Sequence, residues 1–290
     1  MKGFKQQINQ KARIGKGKLW LTMICLMMLC LNGVLLTGCK SQSEAAAQLT
    51  TTTEEPPVTL TLLAASSLKE VLTDLTDAYT KAHPQVTFDI AYGASGAMQK
   101  QIEEGAPGDL FISAGTKQMN ALMDQKLLVD SEPVQVATNA LVLIVPKENT
   151  LFESGTLKSF EDLVKDEVKI IGVGDPASVP AGQYAQQVFA SLGIEAAVGG
   201  KLNNGTDVKQ ILSWVEAGEV DAGIVYETDA LNNDKVTVVA TASEDSHKPI
   251  VYPAAILASS GHQAEAQGFL DYLTGADVAV VWQHYGFGNK

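Results

Sequence analysis

From residue 58 onward, short β-branched runs alternate with stretches in which apolar residues recur every three to four positions. "VTLTLLA" (58–64) predicts a strand, after which Leu68, Val71, Leu72, Leu75 and Tyr79 mark one face of a helix. "VTFDIAY" (86–92) predicts a second strand, followed by a helix with Met98 and Ile102 inward. "GDLFISA" (108–114) predicts a third, followed by a helix carrying Met119, Leu122 and Met123. "ALVLIVP" (140–146) is apolar throughout. "VKIIGVG" (168–174) opens a second series, with Tyr184, Val188, Phe189 and Leu192 on a helix that Gly193 would end. A helix at 207–217, strands at "DAGIVY" (221–226) and "KVTVVAT" (235–241), the apolar "IVYPAAILA" (250–258) and a terminal helical region follow. Strands alternating with helices predict an α/β protein with mostly parallel sheets. The number of elements fits two lobes better than one, and 140–146 and 250–257 are natural places for the chain to cross between them.

The strand-to-helix junctions share a chemistry. "AASSLKE" sets Ser67 three residues before Glu70, the spacing of a capping box. "GASGAMQ" holds Ser95 between glycines. "GVGDPASVPAGQYA" puts Pro180 at a first helical position and leaves the N–H groups of Ala181 and Gly182 free. "NNGTDVKQIL" offers Asp207 and Gln210 at capping spacing, with the N–H of Val208 in the first turn. Any one of these is an ordinary helix cap. In an open α/β sheet, however, such junctions gather at the carboxyl ends of the strands, where ligands bind. Four of them over two lobes suit a cleft lined by neutral donors, where hydroxyls, backbone amides and helix dipoles would hold an oxyanion.

Charge sharpens that picture. The chain carries 21 Lys+Arg against 33 Asp+Glu, a net charge of −12. Lys2, Lys5, Lys11, Arg13, Lys16 and Lys18 form a basic, acid-free start, and an apolar run from Leu19 to Leu36 ends in "LTGC" (36–39). This is the pattern of a secretory signal with a lipobox, in which Cys39 is acylated and becomes the first residue of the mature protein. The expected division is a signal peptide over 1–38 and a flexible tether over 39–57, whose composition cannot bury enough surface to fold. Beyond the leader there are 15 lysines, no arginine, and a net charge of −18. Such a field excludes nucleic acid as a partner. The lack of a guanidinium fork weighs against amino-acid and dicarboxylate ligands. Cys25 and Cys30 lie within the leader, so no internal disulfide is possible after cleavage, and no His or Cys pair stands at metal-ligand spacing.

A serine hydrolase is the enzymatic rival. "GASGA" approaches the nucleophile elbow around Ser95, and Asp229 or Asp245 with His247 or His284 would complete the order Ser, Asp, His. Ala97 replaces the second glycine, however, and no HGG-type oxyanion segment is present.

Taken in order, "AASSL", "GAPGDLFISA", "VGDPASVPAGQYA", "AGIVYETDA", "EDSHKPIVYP" and the terminal "HYGF" resemble the periplasmic-type molybdate-binding proteins of ABC importers, from about Val58 to Lys290. The resemblance implies an α/β, two-lobed periplasmic-binding-protein-like fold of type II, with the ligand in a cleft between lobes joined by crossover strands. The lobes would be 58–138 with a return over 249–290, and 139–248. It implies that Ser67 and Ser95 supply hydroxyl and backbone donors, Ala181 and Val208 supply backbone N–H groups, and Tyr226 supplies its phenol. Molybdate, or tungstate of nearly the same size, would be held through its oxygens with no direct protein–metal bond. No cofactor and no catalysis are implied, and another tetrahedral oxyanion such as sulfate is the alternative cargo. The expected partners are a membrane permease with its cytoplasmic ATPase. The protein would act as a monomer on the outer face of the cytoplasmic membrane, anchored through Cys39.

Overall fold

The computed structural model describes residues 56–129, 132–231 and 233–288. The leader, Cys39 and all but the last two residues of the expected tether lie outside them. The first lobe runs through β1 (Val58–Ala65), a 3-10 turn (Ser66–Leu68), α1 (Lys69–Ala82), β2 (Val86–Gly93), α2 (Ser95–Glu103), β3 (Leu110–Ile112), α3 (Thr116–Asp124) and β4 (Val134–Thr138). The chain crosses at 139–140 into β5 (Leu141–Pro146), α4 (Thr150–Glu153), β6 (Ile171–Gly174), α5 (Pro180–Leu192), α6 (Glu195–Val198), β7 (Leu202–Gly205), α7 (Val208–Glu216), β8 (Ala222–Tyr226), α8 (Glu227–Ala230) and β9 (Val236–Thr241). It returns through 242–250 to β10 (Val251–Ile256), α9 (Gln263–Leu273) and α10 (Ala279–His284).

Each lobe is built on a five-stranded sheet, in the order β2-β1-β3-β10-β4 and β7-β6-β8-β5-β9. The two orders are equivalent. In each, three strands pair in parallel, the fourth place is taken by the strand arriving from the other lobe, and the fifth by the strand that leaves. The arriving strands, β10 and β5, run antiparallel to both neighbours, so the sheets are mixed rather than mostly parallel. The reason is geometric. A chain coming from the other lobe enters the sheet at the cleft, and Leu141 accordingly pairs with Tyr226 at the carboxyl end of β8. The apolar runs at 140–146 and 250–257 therefore lie within the sheets, and the crossings are the segments just before them. These two segments pair with each other: Asn139 N–H donates to the Ile250 carbonyl (3.1 Å) and Ala242 N–H to the Leu141 carbonyl (2.8 Å).

Packing explains which elements the apolar pattern reveals. Leu141–Val145 of β5 are fully buried between helical layers, as an uninterrupted apolar run requires. Helix α5 buries Ala181, Tyr184, Ala185, Val188 and Phe189 on one stripe and ends on Gly193 at φ +68°. β4 and β7 (Leu202–Gly205, "LNNG") are short and at or near sheet edges, with little apolar signal. β3 is only Leu110–Ile112, shorter than the apolar run around it.

All parallel strands end on the same side, with Ala65 beside Gly93 and Gly174 beside Gly205, so the following helices start side by side. At the start of α5 this approach is backbone to backbone: a Cβ added to Gly182 would overlap the Gly174 carbonyl oxygen. Gly182→Ala must lift the helix start off the strand and is expected to destabilise the protein by about 1–3 kcal/mol. Gly199→Ala, with nothing within 4 Å of the new methyl group, should change stability by less than about 0.5 kcal/mol. Denaturant melts of the two variants check the difference.

Candidate functional site

Three spaces open between the lobes. Two are clefts of about 480 and 510 Å³, lined largely by charged and amide side chains. The third is small, with about 10 Å³ of room for the centre of a water-sized sphere, but it is where the helix starts meet. Ser66 and Ser67 reach it from the turn before α1, Ala94 and Ser95 from the start of α2, Pro180 from the start of α5, and Asp207 and Val208 from the start of α7. Tyr226, at the end of β8, completes the wall with Ala114. The structure thus brings Ser67, Ser95, Val208 and Tyr226 around one point. Ala181 is fully buried one residue behind the lining Pro180, in the first turn of α5.

Each start is built differently. Ser67 is not the N-cap its spacing suggests: it sits inside a 3-10 turn whose N-cap is Ala65, with no side-chain cap. Its predicted capping partner Glu70 instead reaches across to Lys209. Asp207 is the cap of α7, its Oδ1 accepting from Gln210 N–H (3.0 Å) while Gln210 Oε1 accepts from Thr206 N–H (2.6 Å). The glycine-rich loop before α5 is organised by Asp175, whose carbonyl accepts from Ser178 and Val179 N–H and whose Oδ1 accepts from Ala177 N–H. This turn presents the Ser178 carbonyl to the first lobe, where Gly96 N–H donates to it at 2.8 Å.

The polar groups are arranged to give protons. Ser95 Oγ accepts from Ala114 N–H (2.9 Å), so its own hydrogen is left to donate. Tyr226 O–H donates to the Ala114 carbonyl at 3.2 Å, long for a hydroxyl bond. Burial pushes the Tyr226 phenol far above its ordinary value, so it keeps its proton. Helix-start N–H groups, such as those of Ala181 and Val208, have no acceptor one turn back. Of the lining residues only Asp207 is charged, and its carboxylate is engaged in capping. An acceptor-only ligand fits this set; a cation does not.

Formal charge is gathered behind the site. Lys209 Nζ lies 3.0 Å from Asp229 Oδ1 and 2.9 Å from Glu70 Oε2, bridging the lobes. Burial pushes the Asp229 carboxyl up, and Lys209 draws it back only in part. Burial alone would lower Lys209, but Asp229 and Glu70 outweigh it and its pKa ends above the ordinary value. Lys209 follows Val208 and Asp229 lies three residues past Tyr226, so the pair braces two walls of the cavity.

Three of the four residues offered as triad partners for Ser95 have other contacts. Asp229 is paired with Lys209, His247 Nδ1 bonds the Lys248 carbonyl, and His284 packs edge-on to Tyr285. Among the described residues no His, Cys, Asp and Glu cluster could hold a metal ion. Two residues to which the sequence assigned no role in the site also belong to its surroundings: Tyr252, bonded to Ser67 Oγ (3.0 Å), and Asn139, bonded to Tyr252 (3.1 Å).

Residues 60–288 match the family described as bacterial extracellular solute-binding protein. A Bacillus subtilis protein, provisionally named as the ABC transporter substrate-binding lipoprotein YvgL, is 39% identical over 254 residues, spanning 88% of this chain and 93% of that one. A Haemophilus influenzae protein named molybdate-binding protein ModA is 37% identical over 233 residues, 80% of this chain and 90% of that one. Among solved structures, the substrate-binding domain of a provisionally assigned molybdenum ABC transporter from Clostridium difficile superposes with a TM-score of 0.62 at 39% identity, covering 80% of this chain and 99% of the other.

Two outcomes follow from the geometry. Lys209→Met strands a buried carboxylate and should cost about 3–5 kcal/mol in denaturant unfolding, whereas Asp229→Asn, which leaves Lys209 paired with Glu70, should cost less. A Cβ on Gly96 would lie 2.5 Å from the Ser178 carbonyl oxygen. Gly96→Ala should therefore hold the lobes apart while each stays folded, seen as an increased radius of gyration by small-angle scattering with an unchanged far-ultraviolet dichroism spectrum.

Proposed function

The chain belongs to the bacterial extracellular solute-binding proteins, with the two-lobed architecture of the periplasmic binding proteins, and we propose from that premise that it captures molybdate for import by an ABC transporter. The observation that carries this reading is the donor-rich cavity between the lobes, where four helix starts, serine hydroxyls and a tyrosine meet without a cationic side chain. A fully deprotonated tetrahedral oxyanion offers acceptors on all sides and needs no acceptor in return. The relative named for molybdate binding supports that choice of anion.

In this reading Ser67, Ser95, Ala181, Val208 and Tyr226 contact the ligand oxygens. The Ala114 carbonyl is a weak competitor at 3.2 Å, and an anionic oxygen would draw the Tyr226 proton from it. Ligand oxygens bonded to both lobes stabilise the closed arrangement, so closure follows from differential affinity. Tungstate, of nearly the same size, binds comparably. Sulfate is smaller and leaves some fixed donors short of a partner, each at a cost of about 1–3 kcal/mol. A protonated phosphate meets a wall of donors in which the one charged acceptor, the Asp207 carboxylate, is engaged in capping α7.

The lobes are 58–138 with 249–290, and 139–248. The body acts as a monomer and by binding alone, delivering its ligand to a permease worked by a cytoplasmic ATPase. The "LTGC" sequence and the relative named as a lipoprotein support an anchor on Cys39, with 39–57 as the tether on the outer face of the membrane.

Calorimetric titration of the purified protein tests the reading. Molybdate should bind tightly, and Ser95→Ala should weaken it by about 1.5–3 kcal/mol, the range for a lost bond to a charged group. Sulfate competing at concentrations similar to molybdate would overturn the proposed selectivity. Turnover of an ester that disappears with Ser95→Ala would make the protein an enzyme instead.

A further inference from the structure

Behind Ser67 runs a chain of hydrogen bonds whose direction can be read from chemistry. Asn139 Oδ1 lies 2.9 Å from the Ala140 nitrogen. A backbone N–H can only donate, so this oxygen is the acceptor and the orientation of the amide is fixed. The amide nitrogen, which can only donate, then lies 3.1 Å from Tyr252 Oη and 2.9 Å from Thr228 Oγ1. Tyr252 Oη accepts that bond, and its other neighbour is Ser67 Oγ at 3.0 Å. A buried phenol left without an acceptor would cost about 1–3 kcal/mol, so the Tyr252 hydrogen goes to Ser67. Tyr252 is fully buried, and that burial pushes its phenol far above the ordinary value, so the hydrogen is retained. Ser67 Oγ, already accepting, has its own hydrogen left for the cavity it lines.

We propose that Asn139 and Tyr252 are positioning residues that fix Ser67 as a donor toward the bound oxyanion. They act through Ser67 and do not line the cavity. Their effect is one of polarity. A free serine hydroxyl can rotate to donate or accept with equal ease; one that accepts from the Asn139–Tyr252 chain has a lone pair occupied and its hydrogen turned away from Tyr252, which favours donation toward the cavity. Ser95 receives the same treatment from Ala114 N–H, so the hydroxyls of Ser67 and Ser95 are both biased toward donation. Tyr252 belongs to β10 of the first lobe, Thr228 to α8 of the second, and Asn139 to the crossing between them. The chain is thus completed by groups from both lobes and their connection.

This inference rests on the oxyanion reading above, and the test separates the two. Molybdate is titrated calorimetrically into the wild-type protein, Tyr252→Phe, Asn139→Asp, Ser67→Ala, and the doubles Ser67→Ala/Tyr252→Phe and Ser67→Ala/Asn139→Asp. Tyr252→Phe should weaken binding roughly three- to tenfold, by releasing Ser67. Asn139→Asp turns the chain round: the carboxylate takes the Tyr252 hydrogen, Tyr252 takes that of Ser67, and binding should fall by roughly tenfold or more. With Ser67 already alanine, both further changes should have less than about a twofold effect. Losses of equal size with and without Ser67 would mean that the two residues act by packing or, in the Asn139→Asp variant, by plain charge repulsion, and would overturn the relay. Unchanged affinity in both single variants would do the same. Should Tyr252→Phe fail to fold, as a thermal melt would show, the Asn139→Asp pair decides alone. Absence of molybdate binding by the wild type would remove the oxyanion reading and the relay together, whereas wild-type binding with additive losses removes only the relay.

Discussion

Four helical starts have to converge on one point, because the cavity between the lobes contains no cationic side chain to meet a negative ligand. Each start supplies partial positive charge and one or two N–H groups, and none would suffice alone. Convergence explains features that otherwise look unrelated. The parallel strands must end level, as Ala65 does with Gly93 and Gly174 with Gly205. The helices must begin hard against them, which is why Gly182 meets the Gly174 carbonyl without room for a methyl group. The lobes must touch backbone to backbone, which is why Gly96 faces Ser178.

Keeping cations out of the cavity also determines where charge is allowed. Lys209 stands next to Val208 but is held by Asp229 and Glu70. The exposed Glu70 contact contributes little at a surface, about 0–1 kcal/mol, whereas the buried contact with Asp229 cannot be broken cheaply. The result is a fixed, compensated charge group beside a neutral binding surface. On the proposed reading, selection by such a surface works through distance, since its donors are held in place by the helix starts that carry them.

Most of the fold was legible from apolar spacing, because the central strands of both sheets are buried on two faces and the helices carry apolar stripes. β4 and β7 were not, since "VQVAT" and "LNNG" lie near sheet edges and carry few buried side chains. The antiparallel arrival of β5 and β10 depends on the other lobe and has no local signature. In the site, the junction residues and the run of motifs pointed to Ser67, Ser95, Val208 and Tyr226, which the structure brings around one cavity, and to Ala181, which lies one residue behind its lining. The local reading of Ser67 as a cap failed, because a Ser and a Glu three apart occur for other reasons; here the Glu serves an ion pair. Tyr252 is by burial a core aromatic. Its hydroxyl matters through Ser67, 185 residues away in sequence, a relation that no spacing rule carries.

The equivalence of the two sheets hides an asymmetry in time. The second sheet is assembled wholly from residues 141–241, so a growing chain can complete it as soon as β9 has emerged. The first sheet cannot close then, because the place between β3 and β4 belongs to β10, which is made last of all the strands. Until that strand arrives, β4 has no neighbour on the side facing β3, and the first lobe stays open at its middle. Contacts so distant in sequence form late. The N-terminal lobe, although made first, is therefore the last to be finished, and its closure waits on the final strand of the chain.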